Sequence, residues 1–179
     1  MTENAIEDRA KRETLELRFI DPQKPKDLDS IQKILRSPAV QLFMDNIEDT
    51  SRQEVIDWAN EGKNENSFLF ALSRDNEIEG FIYFYPSDVV EGAMEISGAK
   101  SPDSKPGYIP AILRNACFKV SKLLGEFDGT KKPLTRIVAE IEPDNWRAVE
   151  VVKRSGFEYE GNKIWELNWE KIDWRKPEV

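Results

Sequence analysis

Glu142-Pro143-Asp144-Asn145-Trp146-Arg147-Ala148-Val149-Glu150-Val151-Val152-Lys153-Arg154-Ser155-Gly156-Phe157-Glu158-Tyr159-Glu160-Gly161 is the run on which the fold turns. Asp144 to Ser155 reads as an amphipathic helix, with Asn145 able to cap its start. Gly156 is its stop, because the C-terminal cap needs a left-handed backbone that only glycine adopts without strain. Phe157 to Tyr159 and Ile164 to Trp169 then read as strands around a Glu160–Gly161–Asn162 turn. Just upstream, Leu134 to Ile141 is apolar on both faces at its centre, the pattern of a strand inside a sheet. Before that strand, Ile109, Ile112, Leu113, Ala116, Cys117, Val120, Leu123 and Leu124 form one stripe of a helix. Gly125 and Gly129 mark its exit.

The first half of the chain reads the same way. Thr14 to Ile20 alternates Leu15, Leu17 and Phe19 with polar residues, as a half-buried strand does. Asp21 to Pro25 breaks it. Asp27 to Arg36 places Leu28, Ile31, Ile34 and Leu35 at helical spacing, and a second helix follows Thr50 or Ser51, either able to cap it. Val55, Ile56 and Trp58 are its apolar residues. Ser67 to Ser73 and Ile78 to Tyr85 are apolar runs joined by Arg74-Asp75-Asn76-Glu77, a hairpin of the Asp-Asn turn type. Met94 to Ser97 is a further strand, followed by a loop rich in Gly, Pro and Ser. Strands with helices interposed imply an α/β protein, a mixed sheet flanked by helices.

Composition bounds the function. With 179 residues the chain fits one domain, taken as 14–172 between a flexible leader (1–13) and a short tail (173–179). No apolar run is long enough for a membrane helix, and Met1 to Glu13 has no apolar core of a signal peptide. A cytoplasmic location without membrane attachment is the expectation. The single cysteine, Cys117, excludes an internal disulfide, and the absence of histidine removes Ser–His and Cys–His catalysis and histidine metal sites. No metal is expected. Cys117 lies on the buried stripe and reads as core. A net charge of −8 argues against nucleic acid as a partner. It favours cationic partners such as amines, or it simply keeps the protein soluble. Trp165 and Trp169 fall four residues apart near Trp174, as core residues or as a dimer contact.

A strand, then Pro-x-Asn-x-x-Ala, then an amphipathic helix ending in Gly156-Phe157 and a Glu-Gly turn resembles the C-terminal half of GNAT N-acetyltransferases. The strand Leu15 to Ile20 with its polar turn and helix, Glu79-Gly80-Phe81-Ile82 in the hairpin, and Glu95-Ile96 in the next strand resemble the ribosomal-protein and peptide N-terminal acetyltransferase branch. The similarity spans roughly residues 14 to 170. It implies a central, mostly antiparallel twisted sheet and acetyl-coenzyme A as co-substrate. It further implies transfer of the acetyl group to a primary amine of a peptide or small molecule, by direct attack in a ternary complex. In the family, the residue matching Asn145 lies beside the pantetheine arm; capping and cofactor contact are compatible.

The family holds the coenzyme pyrophosphate on a loop, Gln/Arg-x-x-Gly-x-Gly/Ala, whose amides and following helix N-terminus attract anions. The matching stretch here is Ser104-Lys105-Pro106-Gly107-Tyr108-Ile109, with Ala111 just beyond. Only Gly107 matches an anchor position. Pro106 and Pro110 lack N–H donors, although Pro110 suits the first turn of a helix. A β-branched Ile109 is expected to crowd the phosphates. The alternative reading is therefore a GNAT-fold module that has lost catalysis and serves as a binding or interaction domain.

Acetyl transfer needs a base for the attacking amine and a donor for the oxyanion. Glu95, in the strand before the loop, is the first base candidate; its other reading is an outward-facing strand carboxylate. Glu140 is the second, in an apolar strand where burial raises a carboxyl pKa. By the resemblance, the backbone of Ala99 and Lys100 supplies the oxyanion donor and pairs with pantetheine. The positions where relatives carry an acid hold Ala148, Val151 and Val152. A thiol of pKa about 8.5 leaves as thiolate without one.

Overall fold

The computed structural model describes residues 15–44, 49–61, 67–104, 109–125 and 135–172. The leader, the tail with Trp174, Gly129, and the loop residues Lys105, Pro106, Gly107 and Tyr108 lie outside the described residues. The elements follow as β1 (Glu16–Phe19), α1 (Pro25–Leu35), α2 (Pro38–Gln41), α3 (Arg52–Glu61), β2 (Phe68–Arg74), β3 (Glu77–Pro86) and β4 (Ala93–Lys100). Then come α4 (Ile109–Leu123), β5 (Arg136–Glu140), α5 (Trp146–Ser155), β6 (Phe157–Gly161), β7 (Ile164–Leu167) and a 3-10 turn at Trp169–Lys171. The seven strands among the described residues join one sheet in the order β1-β2-β3-β4-β5-β7-β6. Every pairing is antiparallel except β4 with β5. The chain passes from β4 to β5 through α4, the crossover that a parallel pair requires.

Two apolar layers flank the sheet. One face packs Phe70, Phe84, Met94, Ile96 and Ile137 against Leu113, Cys117 and Val120 of α4 and Val152 of α5. Trp165 and Trp169 belong to this core, with Trp169 edge-on to Phe118 and its Nε1 donating to the Thr135 carbonyl at 3.3 Å. The other face packs Leu69, Ala71 and Phe81 against Leu28, Ile31, Leu35 of α1 and Val55 of α3. That second cluster takes no member from β5, β6 or β7. Val138, between core residues Ile137 and Ala139, is fully buried as well, so β5 is the interior strand its sequence predicts.

Local chemistry sets the boundaries. Asp75 and Asn76 both take left-handed φ (49° and 64°), the two-residue hairpin turn that matches strand twist. Ser51 caps α3: its Oγ accepts from Glu54 N at 3.2 Å while Glu54 Oε2 accepts from Ser51 N at 2.6 Å, a reciprocal box. Asn145 Oδ1 accepts from Ala148 N at 3.3 Å, so α5 starts at Trp146 rather than Asp144. Gly156 ends it with φ 97°. The last turn is centred later than the sequence suggests: Gly161, itself at φ 99°, pairs with Ile164, and Asn162 and Lys163 between them take φ of 48° and 67°.

Candidate active site

The site begins where β4 and β5 separate. Their bridges run from Ala93–Arg136 to Glu95–Val138 and stop there, while β4 continues on β3 to Lys100. Antiparallel ladders alternate the direction of backbone groups, and two bonds fix the phase here. Ser87 N donates to the Ala93 carbonyl and Ser101 N donates to the Glu79 carbonyl. Odd-numbered residues of β4 therefore turn their amides to β3, and even-numbered ones turn away.

This corrects one expectation. The amide of Ala99 belongs to its ladder pair with Phe81 and is not available to a ligand. Gly98, not singled out from sequence, turns its amide and carbonyl toward the side where no described strand pairs with β4, and it is exposed. A Cβ at Gly98 would lie 2.6 Å from the Phe81 carbonyl oxygen, so the close approach of β3 and β4 demands glycine. A glycine inside a strand is the available sequence signal for such an approach. Lys100 sits at the end of β4, where burial pulls its ammonium below the ordinary value, with Glu79 opposing and Arg74 adding to the fall. Arg74 is itself buried, with Nε 3.0 Å from Glu79 Oε1.

Ser104 closes a turn, its Oγ donating to the Ser101 carbonyl at 2.7 Å. Ile109 and Pro110 open α4, and Pro110 occupies the first turn, where a missing N–H breaks no helix bond. The Ile109 side chain packs against the α4-face core, which accounts for its apolar identity. Ala111 is buried in the same turn. These residues fit a diphosphate-bearing ligand in one respect: the amides of Ala111 and Ile112 belong to the first turn, whose N–H groups have no partner within the helix.

Glu95 is buried, with 9% exposure, and is not an outward-facing carboxylate. Tyr85 donates its phenol proton to Oε1 at 2.9 Å, and Ser87 donates its hydroxyl proton to Oε2 at 3.0 Å. Burial, then the bond to Glu95, then the charges of Glu95, Tyr83 and Glu140 push the Tyr85 phenol far above its ordinary value, so it stays protonated. The Tyr85 ring lies 5.1 Å from that of Tyr83, which stacks on Trp58 of α3 at 5.6 Å. Glu140 departs from expectation: it is exposed at the end of β5 rather than buried in the strand. Its position brings it near Tyr85 all the same. Asn145 uses its side-chain oxygen as the helix cap beside the end of β5. Cys117 is fully buried and its thiol is pushed up by burial. Among the described residues no three His, Cys, Asp or Glu side chains are grouped to hold a metal. No helix among them is long and apolar enough to cross a membrane.

A parallel pair that separates midway, a buried carboxylate at the fork and a helix opening beyond it define a class, the acyltransferases of the GNAT fold. The sequence profile of the acetyltransferase (GNAT) domain matches residues 15–158, and the chain belongs to that family. No curated protein matches the chain in sequence. Solved structures are similar in fold. The aminoglycoside acetyltransferase AAC(6')-Ib with coenzyme A and kanamycin is 15% identical, covers 88% of this chain and 96% of its own, and superposes with a TM-score of 0.64. The spermidine N-acetyltransferase of Vibrio cholerae with CoA and spermine is 16% identical, with 83% of each chain covered and a TM-score of 0.63. A GNAT-family acetyltransferase of Bacillus anthracis is 19% identical, with 87% and 92% covered and a TM-score of 0.61. These neighbours lend no support to the ribosomal-protein and peptide branch.

Proposed function

We propose that the protein is an acetyl-CoA-dependent N-acetyltransferase acting on a cationic, amine-bearing small molecule. The observation that carries this is the fork after Glu95 and Val138, with the exposed amide of Gly98 on its open side. An extended pantetheine arm can pair with β4 there as a missing strand would. Asn145 and the first turn of α4 lie on the matching family positions for the arm and the diphosphate, as do Ser104 and Lys100. The loop Lys105, Gly107 and Tyr108 completes that set.

The chemistry then needs little more. The neutral amine attacks the thioester carbonyl carbon, forming the C–N bond while the carbonyl electrons move to oxygen. Glu95 takes the N–H proton, with Glu140 as the exposed carboxylate that draws the cationic substrate in. Collapse breaks the C–S bond, and the thiolate leaves and is protonated by Glu95 or water. An acceptor with several ammonium groups suits the carboxylates and the Trp58–Tyr83–Tyr85 rings, and AAC(6')-Ib and the spermidine enzyme are solved with kanamycin and spermine respectively. Calorimetry with acetyl-CoA, followed by thiol release with spermine, kanamycin and a free-N-terminus peptide, tests the reading. Micromolar binding and turnover with a polyamine are expected. No heat at millimolar acetyl-CoA would overturn it in favour of a non-catalytic module.

A further inference from the structure

We propose that Ser87 and Tyr85 are positioning residues that aim and lock the Glu95 carboxylate, and that Ser87 couples this lock to the loop between β3 and β4. The inference rests on the reading of Glu95 as the base. It comes from an accounting of one hydroxyl. A serine oxygen has two lone pairs and one proton. Ser87 Oγ accepts from Val89 N at 3.2 Å and from Val90 N at 3.1 Å, which uses both lone pairs. Its proton is left one direction, toward Glu95 Oε2 at 3.0 Å. The loop is closed on itself by Ser87 N on the Ala93 carbonyl and Ala93 N on the Val90 carbonyl. The turn thus dictates where the hydroxyl points.

Tyr85 does the same for the other oxygen. Tyr85 and Glu95 are a hydrogen-bonded pair in the ladder, so their side chains share one face, and the Tyr83 ring braces the phenol. Glu95 therefore meets two donors, one on each oxygen, and the Ser87 proton has no other direction left. Each carboxylate oxygen keeps a further lone pair for an incoming amine. A buried carboxylate without such donors would be costly and free to rotate. The pair fixes its rotamer before substrate arrives, which is what a base must have to act at hydrogen-bond distance.

The test is a double-mutant cycle on the full chain, S87A and Y85F each in the wild-type and E95Q backgrounds. If they act through Glu95, each lowers kcat about ten-fold in the wild type, leaves the acetyl-CoA Kd unchanged, and does nothing further in E95Q. S87T, which keeps the hydroxyl, should restore most of the rate. Equal losses in both backgrounds would show a role in folding alone and overturn the lock while leaving the acetyltransferase standing. If the wild type neither binds acetyl-CoA nor turns over, the proposed function falls. The lock is then decided by carbon-13 NMR of glutamate-labelled protein, with E95Q assigning the signal. A Glu95 carboxyl resonance that moves in S87A and Y85F supports it, and one that stays in place overturns it.

Discussion

Glu95 and Val138 are the last residues through which β4 and β5 pair, although β4 runs on to Lys100 along β3. A parallel pair that stops with one strand still extended leaves backbone groups in need of a partner. Here the divergence coincides with Gly98, whose backbone lies close against Phe81 on the other side.

Gly98→Ala is the direct probe of that coincidence. The new Cβ would sit 2.6 Å from the Phe81 carbonyl oxygen, and backbone cannot swing aside as a side chain can. Urea denaturation should show a loss of about 1–3 kcal/mol from overpacking. Calorimetry should show acetyl-CoA binding weakened at least about ten-fold, the equivalent of about 1.4 kcal/mol. Gly92→Ala is the comparison, since its φ of 71° makes substitution strained while no atom crowds the site. It should cost about 1 kcal/mol of stability and leave acetyl-CoA binding alone.

Asp27→Asn tests what holds the first layer of helices to the sheet. Asp27 is 1% exposed and accepts from Arg18 Nη1 at 2.6 Å and Nη2 at 2.9 Å, joining α1 to β1. Burial alone would push this carboxyl up; the Arg18 guanidinium and the Asp21 amide overcome it and leave it below the ordinary carboxylate value. The loss on substitution should be about 3 kcal/mol at pH 7, because the part-buried guanidinium loses its counter-charge and keeps only the Phe19 carbonyl. A depressed folded value gives stability that is present above the unfolded value, about 3.9, and lost as pH falls through the folded one. The stability gap between wild type and D27N, followed by denaturation midpoints, should therefore stay constant from pH 7 to about 5 and close below about pH 4.

Much of this architecture was legible because it rests on local chemistry. Asp75-Asn76 announces its turn through residue types that tolerate positive φ, and Ser51 with Glu54 announces its helix through reciprocal capping. What escaped depends on register. That Glu95 is inward, that Glu140 is exposed, and that Gly98 rather than Ala99 faces the fork all follow from which residues of β3, β4 and β5 stand opposite each other. Spacing within one strand gives its period but not its phase against a neighbour. Strand β4 reads short for a related reason: Ser97, Gly98, Ala99 and Lys100 lack the apolar alternation that marks a strand, and among the described strands that end pairs with β3 alone. The four-residue helix Pro38–Gln41 carries too little pattern to be read at all.

Asn145 offers a way to separate capping from cofactor contact. Its Oδ1 is used on Ala148 N, so Asn145→Ala should lower stability by about 1 kcal/mol in urea titrations. Asn145→Asp preserves the acceptor and should hold stability within about 0.5 kcal/mol. If the side-chain amide also meets pantetheine, N145D should weaken acetyl-CoA binding as much as N145A does. Binding by N145D equal to wild type would leave Asn145 a cap and nothing more.

Cys117 decides between direct attack and a covalent acetyl-enzyme. It is the chain's one thiol, it is fully buried on the core face of α4, and burial holds it protonated well above the ordinary thiol range. A thiolate is the nucleophile in acyl exchange, so a thiol kept protonated and out of solvent has neither the charge nor the access for it. The native protein should therefore be inert to a disulfide reagent such as Ellman's, and should release one equivalent of reporter only after denaturation. Cys117→Ala should lower stability by about 1–2 kcal/mol through the small cavity it leaves. Its kcat with acetyl-CoA and a polyamine should stay within about two-fold of wild type, since the amine then meets the thioester without an intermediate on the protein. Mass spectrometry of the chain quenched with acetyl-CoA alone should find no added acetyl group on Cys117; a stoichiometric adduct lost in C117A would require the buried helix face to open during turnover.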